Sequence, residues 1–192
     1  MFKKDITPSA RTKVKSSVQR TIRTKVLETY PLLTPYIDHI IPKKSQLDSI
    51  KFPAERVTLY LLKDETTNGE TRPLFWQHMD DPFIPSLRVV HMYPQCFKSL
   101  GIDRGAIRFV LSGAALMVPG LTSKGGKLPT GTEDDPDVEK GEVVVIEAEG
   151  KQEACMVGML DAGTKEMREK KKGIAISGGH YLGDGLWRCD FD

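Results

Sequence analysis

Cysteine is scarce and badly placed for cross-linking. Cys96, Cys155 and Cys189 are widely spaced and odd in number, which points away from a disulfide framework or a cysteine zinc cluster and fits a reduced intracellular compartment. Long apolar runs are missing too. None approaches the roughly 18 residues that a membrane span requires, and Met1 to Lys4 opens no signal-peptide pattern. The expectation is a soluble cytoplasmic protein. Catalytic signatures are also lacking: there is neither a GxSxG nor a GxxxxGK[ST] motif. His39, His78, His91 and His180 lie far apart, and no two flank a glutamate at i, i+4. Carboxylates are dense only from Glu133 to Glu142, where a flexible charged loop does not hold an acid/base pair in fixed geometry. Gly178-Gly179 and Gly183-Asp184-Gly185 are expected as turns, since turn chemistry explains them better than an anion site at a helix start. No catalytic residue, metal site or cofactor is expected, and no repeat of 20 to 50 residues stands out.

What is present is an ordinary globular composition with an uneven charge distribution. Of 192 residues, 39% are hydrophobic and 28% charged, enough for two small cores. The net charge of +2 is the difference between a basic start and an acidic remainder. Residues 1 to 51 hold eleven Lys or Arg against four Asp or Glu. That imbalance suggests a polyanion contact on one side only.

Along the chain, Val14, Val18, Ile22, Val26 and Tyr30 recur every four residues, which predicts an amphipathic helix over Ser9 to Tyr30 that ends at Pro31. Lys13, Arg20 and Arg23 point away from this stripe, and the pair Lys43-Lys44 follows a second short helix over Thr34 to Ile41. Strand-like runs cover Arg56 to Lys63 and Arg72 to His78, with Asn68-Gly69 as a hairpin signal between them. A further strand is expected over Leu87 to Tyr93, and the domain boundary just after it, giving domains 1–93 and 94–192. In the second domain, strands are expected over Gly141 to Ala148, Ala154 to Leu160, Ile174 to Ser177 and Leu186 to Phe191. Thr164 to Lys172 reads as a helical turn stopped by Gly173. The loop Thr122 to Pro136 exceeds the usual loop length and is expected to be mobile. The fold class is α+β: a small α+β domain, then a small β barrel.

One stretch organises the second half: DRGAIRFVLSGAALMVPGLT, Asp103 to Thr122. Asp103 suits an N-cap, Ile107, Val110, Leu111 and Ala114 share a helical face, and Gly113 is the expected stop. Ala114 to Val118 reads as a short strand closed by Pro119-Gly120. Around Gly113, Ala114 and Gly120 small residues leave backbone uncovered, so a flat or phosphate-bearing ligand can come close. On a helical wheel with Ile107 at zero, core residues centre at about 340° while Phe109 points to about 200°. An aromatic on the wet face calls for a partner.

Gly105 to Ser123, GAIRFVLSGAALMVPGLTS, resembles the signature of a PUA domain, an RNA-binding module named after pseudouridine synthases and archaeosine transglycosylases. Together with MFKK at the start, IPKKSQ at Ile41 to Gln46, IPSLRVVHMYP at Ile84 to Pro94 and HYLGDGLW at His180 to Trp187, it resembles the malignant T-cell-amplified sequence, or translation machinery-associated, family. The resemblance is collinear over nearly the whole chain. It departs at Ala115-Leu116, where a polar residue before an aliphatic one is the family pattern, and in a longer acidic loop from Thr130 to Glu139.

The resemblance implies a PUA-type β pseudo-barrel over residues 94–192 behind a ribosome-docking domain. It implies a non-catalytic translation factor that acts on the small ribosomal subunit with a density-regulated-protein partner as a heterodimer. The activities implied are non-standard initiation, reinitiation and post-termination recycling with release of deacylated tRNA. On this sequence the RNA or tRNA acceptor-end contacts fall on Gly113, Ala114, Ala115, Pro119 and Gly120, with Arg104 and Arg108 toward phosphates. Ribosomal RNA contacts fall on Lys13, Arg20, Arg23, Lys43 and Lys44, and the partner contact on Phe109. An RNA-modifying enzyme that uses a PUA domain to deliver substrate is the alternative, although about 93 residues is short for a catalytic domain of that kind.

Overall fold

The computed structural model describes residues 2–6, 10–63 and 69–191. It divides into two compact units, Ile6–Phe97 with Arg188–Asp192, and Lys98–Trp187 with Met1–Asp5. The division falls four residues beyond the expected boundary, and each terminus belongs to the unit at the other end of the chain.

In the first unit β1 (Thr12–Lys13) leads into α1 (Ser16–Thr29), and a 3-10 turn (Pro31–Tyr36) runs into α2 (Ile37–Ile40). There follow β2 (Leu47–Phe52), β3 (Val57–Lys63), β4 (Thr71–His78), β5 (Ile84–Pro85) and α3 (Leu87–Met92). Among the described residues the strands form one antiparallel sheet in the order β1-β2-β3-β4-β5. The hairpin expected between β3 and β4 is present as antiparallel pairing, with Gly69 at φ +83°. Asn68, its other signal residue, lies outside the described residues.

Two expectations fail here for identifiable reasons. Helix α1 buries Gln19, Ile22 and Val26, whereas Val18 is 44% exposed. A spacing of four on a helix of 3.6 residues per turn drifts by about 40° each step, so a strict i+4 series spirals off its own face. Ser9 lies outside the described residues, and Val14 precedes the helix, where its amide donates to the Leu47 carbonyl. The run Leu87 to Tyr93 is a helix instead of a strand. Ser86 Oγ caps it by accepting from the Val89 amide, while its hydroxyl donates to the Pro73 carbonyl at 2.7 Å. A short apolar run fits either state, and the cap decides.

The second unit holds β6 (Ser99–Ile102), a 3-10 turn (Arg104–Ala106), α4 (Ile107–Leu111), β7 (Leu116–Met117) and α5 (Pro119–Thr122). It continues with β8 (Val143–Ala148), β9 (Ala154–Met159), α6 (Thr164–Lys170), β10 (Ile174–Ile176), β11 (Gly179–Tyr181) and α7 (Gly185–Arg188). Among the described residues the main sheet runs β11-β9-β8-β6, with β6 and β8 parallel, and β10 pairs with β7 in a separate ribbon. Leu100, Ile102, Val110, Val144, Ile146, Met156 and Ile176 share its core.

Leu186 to Phe191, expected as a strand, begins with the helical turn α7. Buried Asp184 explains it: the carboxylate accepts from the amides of Trp187 (2.9 Å) and Tyr181 (3.0 Å) and pairs with His180 Nδ1 at 2.8 Å. Helix α6 ends at Lys170, because Lys171 takes the left-handed conformation at φ +51° before Gly173 does so at +106°. The long acidic loop is tied down. Asp137 pairs with Arg168 and accepts from the Thr164 hydroxyl at 2.7 Å, and Arg168 donates to the Pro129 carbonyl.

Candidate nucleic-acid interface

Asp103 starts the site. Its Oδ1 accepts from the Ala106 amide at 3.0 Å, and this cap sets the turn Arg104–Ala106 that feeds α4. Its Oδ2 accepts from the Ser123 hydroxyl at 2.5 Å, and its own amide donates to the Gly120 carbonyl at 2.9 Å. The Ser123 hydroxyl, then the Ala106 and Gly105 amides, hold the Asp103 carboxyl below its ordinary value.

Between these two segments lies an open groove of about 600 Å³. Ala106, Ala114, Ala115, Pro119 and Gly120 line it together with Asp103, Arg108, Phe109, Met117 and Ser123. Gly120 permits the close approach of its walls: a Cβ there would stand 3.0 Å from the Ala106 Cβ. The groove is short of side chain and rich in apolar surface. A base or a ribose can therefore lie against it while main chain stays within reach.

The sequence-derived set is brought together only in part. Ala114, Ala115, Pro119, Gly120 and Arg108 share the groove. Gly113 does not belong to it. It is buried at φ +76°, and a Cβ at this position would fall 2.5 Å from Tyr181 Oη, so its small size serves packing. Arg104 is not among the lining residues, and its guanidinium lies beside Gly150 in the β8–β9 turn. Phe109 is 52% exposed, as the helical phase predicts, yet its ring lines the groove instead of occupying a separate surface. The Arg108 guanidinium lies over that ring, 4.7 Å from the centroid.

Leu111 and Ala114, expected in the core, are exposed, because the helix stops at Leu111 and the strand shrinks to Leu116–Met117. Pro119 opens helix α5 instead of closing a strand, a position its fixed φ suits. Asp103, Ala106, Met117 and Ser123 were missed as lining residues. Only the capping role of Asp103 was legible.

In the first unit the expected basic face separates. Arg20 is exposed on α1, Lys13 sits on β1, and Lys43 and Lys44 occupy the turn after α2. Arg23 is committed elsewhere. It pairs with Asp38 at 2.6 Å and donates to the carbonyls of Ile37 and Ile41, leaving its side chain 13% exposed. It caps the end of α2 and is not a free cation for phosphate.

The chain matches a Pre-PUA-like domain over residues 2–94 and a PUA domain over residues 98–182. It is 49% identical to translation machinery-associated protein 20 of Schizosaccharomyces pombe, across 92% of this chain and 90% of that protein. It is 40% identical to malignant T-cell-amplified sequence 1 of Rattus norvegicus, across 91% and 87%. The chain belongs to this family. The fold agrees: a conserved PUA domain protein of Thermoplasma acidophilum superposes with a TM-score of 0.60 at 19% identity, covering 93% of this chain and 98% of that one. A hypothetical protein of Pyrococcus horikoshii gives 0.68 at 18%, with the same coverage. The α+β reading, a Pre-PUA-like domain followed by a PUA domain, thus holds. The groove described above lies within the residues matched to the PUA domain, a module that binds RNA. Among the described residues no helix is long and apolar enough to cross a membrane, and no three His, Cys, Asp or Glu gather as a metal site.

Proposed function

We propose that this protein is a non-catalytic, cytoplasmic translation factor of the small ribosomal subunit. Its PUA groove takes the acceptor end of a tRNA, and its N-terminal unit docks on ribosomal RNA through Lys13, Arg20, Lys43 and Lys44. It works as a heterodimer with a density-regulated-protein-like factor, anchored at Phe109, in non-standard initiation, reinitiation and post-termination recycling with release of deacylated tRNA. One observation carries the tRNA assignment: a largely apolar groove is lined by Ala114, Ala115 and Gly120 together with a cation, Arg108. An unpaired CCA end offers bases for such an apolar lining and phosphates for such a cation.

The test is retention of tRNA on purified small subunits by the protein and its partner, with tRNA that carries or lacks its CCA end. Loss of affinity on removing CCA is expected. Equal affinity for the two would move the contact elsewhere.

A further inference from the structure

The first unit contains a second concavity, of about 690 Å³, whose lining includes Lys13, Lys44, Lys63 and Arg72. Four separate segments deliver these cations: β1, the turn before β2, the last residue of β3 and the second residue of β4. The sheet order accounts for their meeting, since β1, β2, β3 and β4 are consecutive neighbours, with Lys13 opposite Asp48 and Arg72 opposite Leu62. Among the described lining residues Asp48 is the one carboxylate. Among the described residues Lys13, Lys44 and Lys63 enter no ion pair, in contrast to Arg23, and all three are exposed. Arg72 is oriented by donating to the His39 carbonyl at 3.2 Å.

A cluster of four cations converging on a concave wall attracts polyanions and holds them better than a flat face does. Size decides which anion fits. One water occupies about 30 Å³ of liquid and a phosphate only a few times that, so the cavity accommodates several linked phosphates. We infer that this groove is the seat of a phosphodiester backbone: Lys13, Lys44, Lys63 and Arg72 grip ribosomal RNA by its phosphates. This inference rests on the proposal that the N-terminal unit docks on ribosomal RNA. It transfers the grip from the face of α1 to the end of the sheet, and adds Lys63 and Arg72 to the residues that make it.

The experiment measures binding of the full chain to purified small ribosomal subunits, and to their protein-free RNA, across a range of salt concentrations. The groove variant Lys44→Glu/Lys63→Glu is compared with Arg20→Glu/Lys43→Glu, whose positions lie outside the groove. The groove variant should weaken binding to both targets and flatten the log-log salt slope by about 1.4 to 1.8, the share of two phosphate contacts. Its thermal midpoint should match that of the parent. An unchanged slope for the groove variant beside a flattened one for Arg20→Glu/Lys43→Glu overturns the groove and leaves RNA docking standing. No change in either overturns both readings. Weakened binding to intact subunits with unchanged binding to protein-free RNA assigns the groove to an acidic protein segment and overturns the phosphodiester assignment.

Discussion

The Ser123 hydroxyl donates to Asp103 Oδ2 at 2.5 Å while Oδ1 of the same carboxylate accepts from the Ala106 amide, so a single side chain fastens both walls of the PUA groove. Asp103→Ala should therefore cost about 1 kcal/mol, a typical N-cap loss, and reduce tRNA affinity as well. Ser123→Ala should cost less and keep the helix entry. Thermal denaturation and filter binding on the two variants separate fold from groove geometry.

Glycines 113 and 120 should behave differently under substitution. Gly113→Ala forces a Cβ against Tyr181 Oη in a left-handed conformation, a strain of about 1–3 kcal/mol. Its defect should show first in thermal stability. Gly120→Val and Ala115→Leu fill the groove, and Ala115→Leu in particular should lose tRNA with little change in melting temperature. Equal melting temperatures for Gly113→Ala and the parent would contradict the packing role.

Because the Phe109 ring lines the groove, Phe109→Asp should weaken both partner pull-down and tRNA retention while leaving the thermal transition almost unchanged. Loss of the partner alone would mean that the two ligands use separate faces of the ring.

Arg20 and Arg23 are three residues apart with opposite expectations. Arg23→Ala removes donors from the Ile37 and Ile41 carbonyls and from Asp38, and should destabilise by about 1–3 kcal/mol. Arg20→Ala, on an exposed turn of α1, should stay within about 0.5 kcal/mol. Urea titrations of both variants read the difference directly.

Asp137 supplies a pH signature. Hydrogen bonds from Arg168, then from Thr164, pull its pKa from the ordinary 3.8 down to about 2. A carboxylate depressed in the folded state stabilises the fold above its unfolded pKa, and that contribution disappears as pH falls from near 4 through about 2. In Arg168→Met the depression is relieved, so its melting temperature should depend less on pH across this window than the parent's does. Parallel curves for the two proteins would exclude the pair as the source.

How much was legible follows from how local each feature is. Ala114, Ala115, Pro119 and Gly120 stand within seven residues of one another, so their meeting in a groove could be read from turn and helix signals alone. The helical phase that exposed Phe109 was equally local. Val18 was misplaced because an i+4 repeat resembles a stripe without remaining one. Leu87 to Met92 was misread because a short segment with four apolar residues in six packs as strand or helix, and the choice lay with the cap Ser86 and its bond to Pro73, a partner on strand β4. Gly113 and Arg23 went wrong for the same reason: their partners, Tyr181 and Asp38, lie 68 and 15 positions away. The gathering of Lys13, Lys63 and Arg72 depends on strand order, which no short window contains.

The exchange of termini between the two units bears on how the chain is made. The N-terminal unit includes Arg188–Asp192, among them buried Phe191, and the other unit includes Met1–Asp5, where the Gly185 amide donates to the Phe2 carbonyl at 2.7 Å. A ribosome delivers residues in order, so the opening pentapeptide emerges long before the surface that receives it, and the first unit lacks its last strip until residue 191 has appeared. Neither unit reaches its final packing before residues 185 to 191 have been made. These closures join positions more than 180 residues apart, where loop entropy is greatest and formation latest. A chain cut short anywhere before Gly185 thus leaves both units incomplete, which couples their quality control to one event, the arrival of the C-terminal segment.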